Sequence, residues 1–162
     1  MRNAFLSQFP AGEYTLLPEA PVVRDNETYF IMSSIAAHID RFLPHAEPAP
    51  ARYLTVQRTL KADKIADIGT SPLANPYEIS GSFFHFCDPN PLPGLRTAFR
   101  VIEGLTGVAP QRLYFRTTER LGLSAALRQA GIARRQIITW QSLKPLALGP
   151  GRPVGELSLI HI

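Results

Sequence analysis

The stretch Tyr77-Glu78-Ile79-Ser80-Gly81-Ser82-Phe83-Phe84-His85-Phe86 decides the fold; Pro76 precedes it and Asp88-Pro89-Asn90 closes it. Its aromatic and branched residues predict the strongest strand of the chain, Pro76 to Phe86. His85 alternates with Phe84 and Phe86, so it points to the opposite face from those two. Upstream, Arg52 to Leu60 predicts a second strand, with Tyr53, Thr55 and the β-branched Val56. Lys61 to Asn75, polar and turn-rich, joins the two strands.

Working outward, Ala4 to Phe9 can start an amphipathic helix, broken by Pro10 and Gly12. Tyr14 to Leu17 is short and β-like, and Glu19 to Glu27 reads as a loop or hairpin turn. Thr28 to Met32 predicts a strand, and Ile35 to Leu43 a helix from the spacing of Ile35, Ile39, Phe42 and Leu43. Pro44, Pro48 and Pro50 force an extended connection. Gly94 to Leu105 predicts an amphipathic helix closed by Gly107. Strands are expected over Arg112 to Thr117 and Gln136 to Trp140, with a helix over Leu123 to Ala130 between them. Pro145 to Pro153 reads as a loop. The order lacks the regular strand and crossover-helix alternation of a doubly wound parallel sheet. The expected class is therefore α+β, a mixed and mainly antiparallel sheet flanked by helices.

The chain has 162 residues, 45% of them hydrophobic and 19% charged, a globular composition large enough for one real core. No uncharged apolar run reaches the roughly 20 residues that cross a bilayer, and Met1 to Pro10 lacks a signal-peptide core. The single Cys87 excludes an internal disulfide and an intrachain thiolate metal cage. A cytoplasmic setting without membrane attachment is the expectation. The charge is uneven: residues 111–162 hold 8 basic and 2 acidic side chains, against 5 and 6 in residues 1–60 and 4 and 5 in residues 61–110. That excess suits phosphate, as nucleic acid or nucleotide, and equally a solvated face or an acidic partner.

Several chemistries are absent from the sequence. It has no phosphate-binding loop of the G-x-x-x-x-G-K-[ST] or G-x-G-x-x-G kind. Ser80-Gly81-Ser82 lies inside a strand pattern and is no nucleophile elbow. His38, His45, His85 and His161 lack metal-ligand spacing. His85 reads as a hydrogen-bonded structural histidine and Cys87 as a packing residue.

Three collinear segments carry a resemblance. Leu17-Pro18 through Asp25 and Thr28-Tyr29-Phe30 form the first. The second has Arg52 and Gln57, then Ile68-Gly69, then Tyr77-Glu78-Ile79-Ser80-Gly81-Ser82-Phe83. The third has Gly131-Ile132, Arg135-Gln136-Ile137-Ile138, Trp140-Gln141, and Gly149, Pro150, Pro153 and Glu156 at set intervals. Together they resemble the N-terminal catalytic domain of the alanyl-tRNA synthetase family, class II aminoacyl-tRNA synthetases. The family has a Val-Gly before a strand bearing F-F-E-M-L-G-N-F, and a Trp before G-P-x-G-P-x-x-E. The resemblance runs from about residue 9 to residue 156. It implies a partial, incomplete class II synthetase-like domain over 1–156, with 157–162 an unmatched tail. The family's third motif would fall beyond residue 162, so a fragment of a longer enzyme, inactive alone, is the expectation.

The resemblance implies an alanine-tRNA ligase-like enzyme that forms alanyl-adenylate from ATP, Mg2+ and alanine and passes it to tRNA, as a homodimer. Lys61 stands where the family's arginine holds the α-phosphate and the substrate carboxylate, with Arg58 three residues before it. Lysine keeps the charge but loses the two-pronged fork. Leu73 and Ala74 replace an Arg-His pair that meets the terminal phosphates. Glu78 matches the acid that addresses the adenine edge, and Phe83 matches a ring for stacking on adenine. Trp140 and Glu156 would line the amino-acid pocket. A solvated Glu78, a core Phe83 and a core Trp140 explain the same residues without a site. Two other functions fit: a divergent paralogue that activates a small amino acid for a non-tRNA acceptor, and a non-catalytic interaction module that keeps the fold.

Overall fold

A computed structural model of the chain describes residues 2–23, 30–31, 33–38, 50–70, 75–86, 88–118 and 123–140, and three short strands at 146–147, 153–155 and 158–160. The chain is α+β, with small mixed sheets and helices packed on them. It divides into two compact units, Met1–Asp88 and Pro89–Ile162.

The first unit is built on a long hairpin. Strands β2 (Ala51–Leu60) and β3 (Tyr77–Phe86) pair antiparallel in unbroken register from Ala51↔Phe86 to Leu60↔Tyr77. The short β1 (Thr15–Leu16) runs parallel to β2 on its other side, so β2 is central in the order β1-β2-β3. That position buries both faces of β2 at once: Leu54, Val56 and Leu60 on one, Thr55, Gln57 and Thr59 on the other. Burying amides and hydroxyls costs free energy unless each is hydrogen-bonded. Gln57 shows how this is met. Its Oε1 accepts from the Ala20 N–H at 2.9 Å, and its Nε2 donates to the carbonyls of Ala20 and Arg58, both at 2.8 Å.

Helix α1 (Arg2–Leu6) lays Phe5 over Gly81, where β3 has no side chain. Helix α2 (Ser34–Ala37) packs on the other face of the hairpin, and the hydroxyl of Ser33 caps it by accepting from Ala36 N–H. The expected helix reached Leu43; its residues beyond His38 lie outside the described ones. Of the expected strand Thr28 to Met32, only Phe30 and Ile31 are described, and neither is in a strand. Ile31 is fully buried instead, its N–H donating to Val22 C=O and its C=O accepting from Leu60 N–H. Within the expected turn-rich connection, Ala62–Asp67 form a 3-10 helix.

The second unit opens with helix α3 (Pro91–Thr106). It starts three residues before the expected Gly94, because Asn90 caps it by accepting from Leu92 N–H at 3.0 Å. Pro91 fits the first turn, where no hydrogen bond is lost. Gly107 ends the helix in the left-handed conformation, φ 69, as the sequence predicts. Next come β4 (Tyr114–Thr118), α4 (Leu123–Gln129) and β5 (Ile137–Trp140), with β4 and β5 parallel. This is a strand–helix–strand crossover, which the reading of the element order did not anticipate. A third strand, β8 (Ser158–Ile160), pairs antiparallel with β4. In the expected loop Pro145 to Pro153, Leu146–Ala147 form β6 and Pro153 begins β7 (Pro153–Gly155), its antiparallel partner. The unit's core joins Leu95 and Phe99 of α3 to Leu113, Phe115, Ala126, Leu127 and Ile132, with the Phe99 and Phe115 rings 5.3 Å apart.

Candidate functional site

The loop end of the β2–β3 hairpin carries the paired charges. Lys61 follows the last residue of β2, and its N–H donates to Pro76 C=O at 2.9 Å, closing the hairpin. Its ammonium lies 2.6 Å from Glu78 Oε2, and about a third of each side chain is exposed. Glu78 pairs across the strands with Thr59, whose hydroxyl donates to the Glu78 carbonyl at 3.3 Å.

Strand parity places the rest. Residues opposite each other in the register share a face, and successive residues alternate faces. The face of Glu78 therefore also holds Thr59, Gln57, Ser80, Thr55 and Ser82. From α2, Ser34 Oγ hydrogen-bonds to Ser82 Oγ and, at 3.1 Å, to Ser80 Oγ. His38 Nε2 bonds to Thr55 Oγ1 at 3.2 Å. One continuous polar face thus runs from the Lys61–Glu78 pair under α2.

Arg58 lies on the other face, opposite Ile79. Its side chain is 72% exposed, and its Nε bonds to Glu19 Oε1 at 2.7 Å, with the Arg58 N–H donating to the same oxygen at 2.9 Å. These two bonds hold the Glu19 carboxyl below the usual carboxylate range, with Arg2 adding a weaker pull from 3.6 Å. Lys61 and Arg58 therefore do not converge on one anion in this arrangement.

Phe83 also lies on the Arg58 face, opposite Leu54 and five residues from Glu78, roughly 16 Å along the strand. Its ring packs with Phe9 at 5.6 Å, His85 at 5.8 Å and Tyr14 at 6.4 Å. The structure brings Lys61 and Glu78 together and sets Phe83 and Arg58 apart from them. Trp140 is the last residue of β5, in the second unit, and Glu156 lies outside the described residues.

The aromatic end of the hairpin has its own polar cluster. Tyr14 Oη and His85 Nε2 are 2.6 Å apart, and Arg52, opposite His85, is ion-paired with Glu13. The His85 Nδ1 is buried without a hydrogen bond, 4.0 Å from Asp88 Oδ2. Burial, then the Arg52 charge, lowers the pKa of this imidazole below the usual histidine value, against opposing pulls from Asp88 and Glu13. His85 is thus hydrogen-bonded and largely enclosed, on the opposite face from Phe84 and Phe86.

The sequence reading missed Thr55, Gln57, Ser80, Ser82, Ser34 and His38 as one constellation. The signal was present in part: Thr55, Gln57 and Thr59 recur at every second position, alternating with Leu54, Val56, Arg58 and Leu60, so they share one face of the strand. Among the described residues, no group of three or more His, Cys, Asp or Glu could hold a metal ion. Among the described residues of this face, Glu78 is the one carboxylate. Among the described residues, no helix is long and apolar enough to cross a membrane. No protein-family model matches the chain, and no curated protein matches it.

Proposed function

We propose that the chain is the nucleotide- and amino-acid-binding part of an alanine-tRNA ligase-like parent, which activates a small amino acid, alanine by the resemblance, as its adenylate with tRNA as the acceptor. The observation that carries this reading is the Lys61–Glu78 pair at the loop end of the hairpin, above a continuous polar face. In such a reaction the substrate carboxylate oxygen bonds to the α-phosphorus of ATP, and the bond to the bridging oxygen breaks as pyrophosphate leaves. Both reactants are anions, so a cation that holds them in line lowers the barrier. Lys61 supplies that charge as a point, without an arginine's fork. Nucleotide phosphate would replace Glu78 as its partner, and a Glu78 carboxylate oxygen could then accept from the adenine amino group. Mg2+ bound to the triphosphate would spread the remaining charge.

A second reading draws on a specific observation. Lys61 and Arg58 are both ion-paired already, to Glu78 and Glu19. That favours a non-catalytic module in which these pairs hold the hairpin. Mg2+-ATP binding separates the two, since the chain alone is not expected to support alanine-dependent ATP–pyrophosphate exchange. A nucleotide site predicts binding that weakens at least tenfold in Lys61→Ala and is unchanged in Arg100→Ala, an exposed cation on α3. No binding by the wild-type chain, or equal affinities in the two variants, refutes it.

A further inference from the structure

The charge imbalance follows the division of the chain. Met1–Asp88 has seven Lys or Arg and ten Asp or Glu, a net −3; Pro89–Ile162 has ten and three, a net +7. Nine of those ten cations are arginine. Within the second unit the fold gathers three of them. Arg112 ends the 3-10 turn Pro110–Arg112 that leads into β4, and Arg134 and Arg135 belong to the turn Arg134–Gln136 that leads into β5. The turns are near copies: their preceding residues, Ala109 and Ala133, have φ, ψ of −65, 144 and −66, 144.

The parallel register Phe115↔Ile137 sets Arg112 and Arg134 at the same level, each three residues before its paired strand residue. The buried Gln136 fastens one turn to the other. Its Nε2 donates to Gln111 C=O at 2.6 Å and to Leu113 C=O at 2.7 Å. Arg112, Arg134 and Arg135 are all exposed, and none has an ion-pair partner among the described residues. Three like charges held side by side on a rigid base raise the local potential and repel one another.

We infer that this end of the β4–β5 pair is a binding surface for the phosphate backbone of RNA. Guanidinium groups bind phosphate oxygens in pairs, and a base fixed by Gln136 limits the ordering cost of holding them. The surface rests on the second unit alone, so it stands whether or not Lys61 binds nucleotide. Three phosphate contacts contribute a slope of about −2 in log affinity against log salt for single strands and about −3 for a duplex. That corresponds to a loss of about 20- to 40-fold between 50 and 200 mM salt from these residues.

The test is fluorescence anisotropy of the full chain with a labelled 20-nucleotide RNA, single-stranded and as a hairpin, over 50–200 mM KCl. The wild-type chain is expected to bind with a steep salt slope. The triple variant Arg112→Gln/Arg134→Gln/Arg135→Gln, checked for folding by circular dichroism, is expected to lose two to three units of slope. Arg96→Gln/Arg100→Gln on α3 is expected to lose less than one. No binding by the wild-type chain at 50 mM salt, or a folded triple variant with an unchanged slope, overturns the inference. Displacement of the RNA by polyglutamate at equal charge concentration would assign the surface to an acidic protein and overturn it too.

Discussion

Gly81→Ala is a sharp probe of how the first unit is packed. A Cβ at this position would lie 2.9 Å from Phe5 Cε1 and 3.0 Å from its Cδ1 and Cζ. Carbon atoms in good contact sit about 3.5–4.0 Å apart, so the ring must retreat by about 0.5–1 Å. It does so against Phe9, whose ring is 5.1 Å away and itself packs on Tyr14 at 5.1 Å and Phe83 at 5.6 Å. Overpacking of this kind costs about 1–3 kcal/mol. Alanine recovers about 0.5–1 kcal/mol by restricting the unfolded chain. The net expectation is a loss of about 1–2 kcal/mol from these two effects together. Removing the ring reverses the sign: in a Phe5→Ala background, Gly81→Ala should stabilise by about 0.5 kcal/mol. Urea unfolding of the four proteins measures the coupling directly. An equal cost in both backgrounds would show that α1 does not rest on β3 at Gly81, and the packing argument would fail.

Two further outcomes follow from the same unit. Gln57→Leu leaves both polar groups of Ala20 and the carbonyl of Arg58 without their partner. It should cost about 2–4 kcal/mol in urea unfolding and speed exchange of the Ala20 amide; wild-type stability would contradict the role given to Gln57. The lowered His85 pKa has a definite sign. The unfolded chain binds this proton more readily, so stability is complete above the ordinary histidine value near 6.5 and falls as pH drops through 6.5 towards the folded value. In His85→Gln that part of the pH dependence should vanish. Groups facing the ring are Tyr14, Arg52, Glu13 and Asp88, so the wild-type minus variant difference, rather than either curve, is the quantity to compare.

The long elements were legible because their signals are local. The β2–β3 pair, α3 and its glycine stop, and the strand, helix and strand of the second unit all follow from hydrophobic period and end signals. The parallel pairing of β4 with β5 was not legible, since strand direction depends on contacts that no short window contains. The contact of Phe5 with Gly81 joins residues 76 positions apart and is invisible in either segment alone. The candidate site is a mixed case. Lys61 and Glu78 meet, as their places at the two ends of a hairpin loop allow. Arg58 and Phe83 fall on the far face, which the odd spacings from Lys61 and Glu78 already encode in a strand of period two. Matching residue types to a motif picks out chemistry but does not ask which face each residue occupies.

The central claim is that Lys61 exchanges Glu78 for nucleotide phosphate, and calorimetric titration of the chain with Mg2+-ATP tests it most directly. Saturable binding is expected, weakened at least tenfold, about 1.4 kcal/mol, in Lys61→Ala and unchanged in Arg100→Ala. Binding of equal strength in Lys61→Ala, or none in the wild-type chain, would contradict it.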